Sequence, residues 1–202
     1  MIKTIIFDFG DVFLDLDKPA TNKTLDSFGI KEITPEIQRL NETYEVGNIS
    51  TEEFLKSYQE IIPGTTKEQL IKAWNAILVD FPKYRLDFIQ KLAAEKRYKL
   101  LLLSNTNDLH INWVKDNIAF YEDFKNCFAS FYLSHEIHFR KPNADIFEFV
   151  IKEHNLTPSE TLFIDDTKDN TDTAEQLGIH VWNNNPKTED VINLFSIKSD
   201  LF

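Results

Sequence analysis

Three features of this 202-residue chain predict an α/β fold built on a parallel central sheet. Apolar runs end in polar stations at 2–8, 98–104 and 161–166, and strand-like and helix-like segments alternate from 84 to 182. Between about 19 and 78 the pattern is purely helical. Together they describe a core of residues 1–15 and 81–202, with residues 16–80 inserted after the first strand as a small helical cap.

Residues 2–8 read as the first strand, apolar on both faces and therefore buried in a parallel sheet. In the insertion, Ser50 with Glu53 and Thr65 with Glu68 match the capping box that starts a helix. After the first start, Phe54, Leu55, Tyr58, Ile61 and Ile62 share a face; after the second, Leu70, Ile71, Trp74, Ile77 and Leu78 do. Pro63-Gly64 turns the chain between these antiparallel helices, and the stretch holds no strand. A helix over 84–96 leads into Leu100 to Leu103, four leucines that mark a strand buried on both faces. A strand from Cys127, a helix after Pro142, a strand over 161–165, a helix ending at Gly178 and a strand over 179–182 complete the alternation.

Seventeen Phe and only five Gly indicate a well-filled interior without linker-like tracts. The formal charge of −11, from 33 acids against 22 bases, disfavours a sequence-independent grip on nucleic acid or on an anionic membrane. Small ligands are the expected partners. The single cysteine, Cys127, has no disulfide partner in the chain and is expected in the core. No apolar run approaches membrane-spanning length, so a cytoplasmic location is expected.

Four stations carry the chemistry: Asp8-Phe9-Gly10-Asp11, Ser104-Asn105-Thr106-Asn107, Arg140-Lys141-Pro142-Asn143 and Asp165-Asp166-Thr167-Lys168-Asp169-Asn170. Strand ends at the carboxyl edge of an open α/β sheet are where such folds keep their ligands. Several carboxylates gathered there repel one another unless a cation sits among them, which predicts a hard, oxygen-bound metal such as Mg2+. The plainer alternative is that each is local: Asp8 capping a turn, Ser104 capping a helix, Lys141 a solvated loop lysine. The five histidines have no metal-ligand spacing and are expected to be structural or surface groups.

In order and position the four stations resemble the haloacid dehalogenase-like hydrolase superfamily, particularly its members with a helical cap inserted after the first strand. That resemblance implies a Rossmann-like three-layer sandwich with a small all-helical cap. It also implies a Mg2+-dependent phosphatase acting on a small phosphorylated metabolite, with a sugar phosphate favoured. On this reading Asp8 is the nucleophile and forms an aspartyl-phosphate, splitting one hard displacement into two easier ones. Asp8, the Gly10 carbonyl and Asp166 hold the metal, and Asp165 is a further ligand or a partner that fixes the ligands. Ser104 and Asn105 receive the phosphoryl oxygens, and Lys141 adds the compact positive charge that orients Asp8 or the phosphate. Asn170 resembles a position that supports the metal site, with helix capping as its alternative, and Asp169 is expected to face solvent.

The family's phosphatases usually carry Asp-x-Asp at the first station, the second acid protonating the leaving oxygen. Here that position is Gly10, followed by Asp11. Either Asp11 takes the role, or the substrate has a leaving group needing little protonation, or activity is feeble. Some sugar-phosphate phosphatases of the superfamily have the same glycine. A 2-haloacid dehalogenase is the rival enzyme, though it leaves Asp165-Asp166 without a purpose, and a non-catalytic binding or regulatory relative is the rival of another class. Val46, Gly47 and Asn48, with Tyr44 and Trp74, are the expected cap residues at the site entrance.

Overall fold

The computed structural model describes residues 1–202. Its centre is a five-stranded, all-parallel sheet of β1 (Thr4–Phe7), β4 (Lys99–Ser104), β5 (Ser130–Leu133), β6 (Thr161–Asp165) and β7 (His180–Asn183), in the order β5-β4-β1-β6-β7. The chain leaves β1, fills one side with β4 and β5, then crosses to the other with β6 and β7. The reversal of strand order therefore falls at β1, and the carboxyl ends of β1, β4 and β6 open side by side.

Helices cover both faces because both are apolar. Ile5 and Phe7 join the larger cluster with Leu100, Leu102, Leu162 and Ile164, whereas Ile6 joins the other with Leu101, Leu103, Phe163 and Phe147. α5 (Lys83–Glu95), α6 (Asp108–Asn117) and α7 (Tyr121–Lys125) serve the first face; after the single turn α8 (Ser134–Ile137), α9 (Ala144–His154) and α10 (Lys168–Gln176) serve the second. Beneath the loop after β1, Phe124 lies 5.3 Å from Phe9, 4.9 Å from Phe13 and 4.8 Å from Phe81, centroid to centroid. This aromatic bed anchors the loop that carries Asp8.

The insertion consists of α1 (Ala20–Ser27), α2 (Pro35–Glu45), α3 (Thr51–Ile61) and α4 (Lys67–Asn75) around their own cluster, which includes Leu25, Ile37, Tyr44, Phe54, Tyr58 and Leu70. Three details differ from the sequence reading. The two connections pair as a short antiparallel ribbon, β2 (Asp15–Leu16) with β3 (Leu78–Asp80), where no strand was expected. The α4 cap is Thr66 with Gln69, one residue later than Thr65 with Glu68. Ile61 is exposed, while Ile62 turns inward after the helix ends.

Cys127 lies in the turn after α7, partly buried against the core, and the strand begins only at Ser130. Because β5 is an edge strand, three of its four residues stay half-exposed, which weakens the apolar signal that marks central strands. No helix is long and apolar enough to cross a membrane.

Arg85 on α5 fastens the ribbon to the core. Its Nη1 donates to Phe13 O (3.1 Å) and Asp15 Oδ1 (2.6 Å), while Nε and Nη2 donate to Asp190 Oδ2 (3.2 and 3.1 Å). Arg85→Met removes every one of these bonds and leaves Asp190 without its cation, held only by the Tyr84 hydroxyl and the Ile192 amide. The expected loss is about 3 kcal/mol, read from the urea midpoint, and a loss under about 1 kcal/mol would show that the clamp is dispensable.

Candidate active site

The three strand ends deliver Asp8, Ser104 and Asp165 to one edge, all of them buried. Lys141, from the loop before α9, reaches underneath them. Its ammonium is almost wholly buried and directs its three N–H groups at Asp8 Oδ1 (2.8 Å), Asp165 Oδ2 (2.6 Å) and Leu103 O (2.8 Å). Burial alone would lower its pKa, but Asp165 and Asp8 raise it, so Lys141 is a fixed positive charge. Asn105 holds the loop in register: its Nδ2 donates to Lys141 O (2.8 Å) and its Oδ1 accepts from Lys141 N (2.9 Å).

Asp165 is saturated. Oδ1 accepts from Thr167 N and Asn170 Nδ2, and Oδ2 from Lys141 and Asn170 Nδ2, which fills both lone pairs of each oxygen. Asn170 therefore steadies this acid, and Asp169 faces solvent. Asp166 pairs with Lys18, an exposed lysine that also contacts Asp11 Oδ2 at 3.1 Å. Carboxylate oxygens of Asp8, Asp165 and Asp166 lie within 4.8 Å of one another, close enough to share one ion. Gly10 lines the same cleft, and its carbonyl accepts neither of the bonds that close the loop, Asp11 N to Leu14 O and Leu14 N to Phe9 O.

Electrostatics fit a cation. Burial pushes the Asp8 carboxyl up to about 7, with Lys141 pulling it down and Asp165 and Asp166 adding repulsion. Burial likewise raises Asp166, against Lys18. Two buried acids held above their ordinary range by desolvation and like charge would both be stabilised in ionised form by a divalent ion between them.

The residue range and the relatives agree with this edge. Residues 2–178 match the model of the haloacid dehalogenase-like hydrolases. The chain belongs to that family. It is 30% identical over 190 residues to the D-ribitol-5-phosphate phosphatase of Bacteroides thetaiotaomicron, covering 90% of this chain and 91% of the relative. Among solved structures it resembles a haloacid dehalogenase-family enzyme of the same organism in complex with magnesium and inorganic phosphate (TM-score 0.82, 33% identity, covering 96% of this chain and 100% of that one). A HAD-like family hydrolase of Porphyromonas gingivalis is similar as well (TM-score 0.83, 30% identity, 98% and 97%).

Within this haloacid dehalogenase-like hydrolase the remaining predicted residues fall unevenly. Asp11 is buried in a left-handed conformation (φ 55°), and its Oδ1 accepts from Leu16 N at 3.1 Å, closing the loop after β1. A Cβ at Gly10 would stand 2.7 Å from Leu16 Cδ1, so the tip of that side chain would have to shift to admit one. Ser104 and Asn105 line an inner cavity of about 310 Å3 between sheet edge and cap, together with Leu14, Trp74, Asn107 and His110.

Of the cap residues expected at the entrance, Trp74 alone lines this cavity. Val46 and Asn48 line a separate cleft, Gly47 packs so closely on the His135 carbonyl that a Cβ would sit 2.1 Å from its oxygen, and Tyr44 bonds inside the insertion to Thr51. Besides Trp74, the polar cap residues that reach the site are Asn41 and Glu45, which the sequence reading does not single out. Helical spacing could have found them, since Asn41, Tyr44 and Glu45 lie on adjoining faces of α2. Lys18 carried no such signal, because it meets Asp166 only in the fold. No histidine joins the acids, but His110 lines the cavity as a neutral ring, pushed down to about 4 by burial, its Nε2 facing Trp74 O.

Lys141→Met leaves Asp8 and Asp165 buried without their counter-ion. We expect a loss of about 3–5 kcal/mol by urea unfolding; unchanged stability would mean that other groups balance these acids.

Proposed function

We propose that this protein is a Mg2+-dependent phosphatase that hydrolyses a small phosphorylated metabolite, with a sugar or sugar-alcohol phosphate as the favoured substrate, by way of an aspartyl-phosphate on Asp8. One observation carries this reading: Asp8 is fixed in the polar cleft by Lys141, with Asp166 a few ångströms away and Asp165 already saturated by other donors. Asp8 and Asp166, with the Gly10 carbonyl, are the residues that would hold the metal, while Asp165 keeps Lys141 and the loop before α10 in place. Held by those groups, a magnesium ion would supply positive charge to neutralise the phosphoryl oxygens.

The chain's own groups do the rest. Lys141 holds the Asp8 carboxylate by one oxygen, leaving the other to attack phosphorus in line. Ser104 offers a hydroxyl next to the cleft, and Asn105 keeps the Lys141 backbone fixed. The inner cavity of about 310 Å3 limits the organic part of the ester to a small one. Its lining mixes apolar side chains with Asn41, Glu45, Asn107 and an unpartnered Trp74 indole N–H, a set suited to a short hydroxylated chain. The activity named for the Bacteroides thetaiotaomicron relative, on D-ribitol-5-phosphate, supports the same class of substrate.

The direct test is hydrolysis of an aryl phosphate and of sugar and sugar-alcohol phosphates, with magnesium and with a chelator. Turnover should require magnesium and extend to the sugar-alcohol esters; metal-independent turnover or none at all would reject the reading. Asp8→Asn is expected to abolish turnover and keep or raise the melting temperature, because it removes one charge from a crowded acidic site without changing shape. Wild-type turnover in Asp8→Asn would eliminate Asp8 as the nucleophile.

A further inference from the structure

The cleft contains Asp8, yet the loop that carries it offers no acid to the leaving oxygen. Position 10 has no side chain, and Leu16 fills the space where one would emerge. Asp11 spends one carboxylate oxygen on the Leu16 amide and the other on Lys18. Asp11 lines neither the cleft that holds Asp8 nor the 310 Å3 cavity under the cap.

Two cavities meet at this point. The polar one holds Asp8, Lys141 and Asp166, and the inner one is the 310 Å3 cavity under the cap. Gly10, Leu16, Asn105 and Glu45 line both. The bond that breaks joins phosphoryl group to organic group, so its oxygen lies at this junction when phosphorus is at Asp8 and the organic part fills the inner cavity. Glu45 is the only acidic residue common to both linings.

From this geometry, and resting on the phosphatase reading above, we propose that Glu45 is the general acid and base of the reaction, supplied by the cap in place of the acid missing at Gly10. Its attachment suits the task. Ser134, fully buried, donates to the Glu45 carbonyl at 2.6 Å, and the Thr106 amide donates to Ser134 Oγ at 2.9 Å, which pins the end of α2 to the loop after β4. Arg140 Nε engages Glu45 Oε2 at 3.1 Å, and Oε1 has no protein partner. Three charged groups act on the carboxyl, Arg140, Lys141 and Glu42, and burial outweighs the two cations, so that it is raised above the ordinary carboxylic range. A carboxyl held in that way can keep a proton to give.

The steps balance. In the first, Asp8 forms a bond to phosphorus while the bond from phosphorus to the ester oxygen breaks, and protonated Glu45 gives its proton to that oxygen, releasing the alcohol. In the second, ionised Glu45 takes a proton from water as the water oxygen bonds to phosphorus and the bond to Asp8 breaks, releasing inorganic phosphate and restoring both residues.

Glu45→Gln tests this, because it keeps shape and can still accept from Arg140. On an alkyl phosphate with magnesium, its kcat is expected to fall about a hundredfold or more, and on an aryl phosphate less than about tenfold in the first step, since aryl oxides leave without a proton. Intact mass spectrometry during aryl turnover should show a phosphorylated chain accumulating in Glu45→Gln and not in the wild type, because water then lacks its base. Asp11→Asn should slow both esters by the same factor. If Glu45→Gln affects both esters equally and no phosphorylated chain accumulates, Glu45 merely positions the cap and the proposal is wrong; an alkyl-selective loss in Asp11→Asn instead would assign the role to Asp11. A wild-type protein inactive on both esters overturns the phosphatase reading, and the role of Glu45 with it.

Discussion

A single buried ammonium holds this site together. Lys141 lies below three strand ends and spends all three of its N–H groups on Asp8, Asp165 and the Leu103 carbonyl. Taken into the interior alone, any of these charges would be costly; together they are tolerable because each is paired and hydrogen-bonded. The pairing also sets geometry. Asp165 is locked by Thr167 and Asn170, so Lys141 is locked by Asp165, and Asp8 is locked by Lys141. Lys141 lies between two acids, and Asp166 nearby is balanced only by the exposed Lys18; a hard divalent ion, suited to oxygen donors, would relieve the remaining negative charge.

The fold exists to bring about that convergence. Placing β1 between β4 and β6 makes the strand order reverse at Asp8, and the parallel direction sends Asp8, Ser104 and Asp165 to the same edge. The insertion between β2 and β3 then roofs the edge and creates a second, more apolar space beside the polar cleft. Hydrolysis of a phosphoester needs both: a charged half to receive the phosphoryl group and a drier half to bind the alcohol and keep bulk water from it. Several contacts join the halves: Ser134 and Arg140 fasten the end of α2, Leu109 N donates to Tyr44, His110 meets Trp74, and Arg85 fastens the ribbon.

Much of this was legible in the chain because it depended on local patterns. Leu100 to Leu103 could only be a strand covered on both faces, and β6 ends at Asp165 as its apolar run suggested. Ser50 with Glu53 capped its helix as read. Local patterns gave out where tertiary contacts decide. The apolar run from Cys127 reads as strand because Cys127 and Phe128 pack against the core from the turn after α7, and the two-residue β2 is visible only through its pairing with β3. Glu45 and Lys18 look like ordinary surface charges in the sequence. Their significance comes from segments far apart in the chain, Lys18 meeting Asp166 and Glu45 meeting Arg140. Gly10 is recognisable in the sequence as a departure, and the fold adds that a side chain there would press on Leu16.

Calorimetric titration of Mg2+ into the wild-type protein and into Asp166→Asn tests the central claim most directly. If Asp8 and Asp166 share an ion above Lys141, the wild type takes up one Mg2+ per chain and the folded Asp166→Asn protein takes up none or binds far more weakly. Magnesium binding of wild-type strength in Asp166→Asn, or no binding in the wild type, would contradict it.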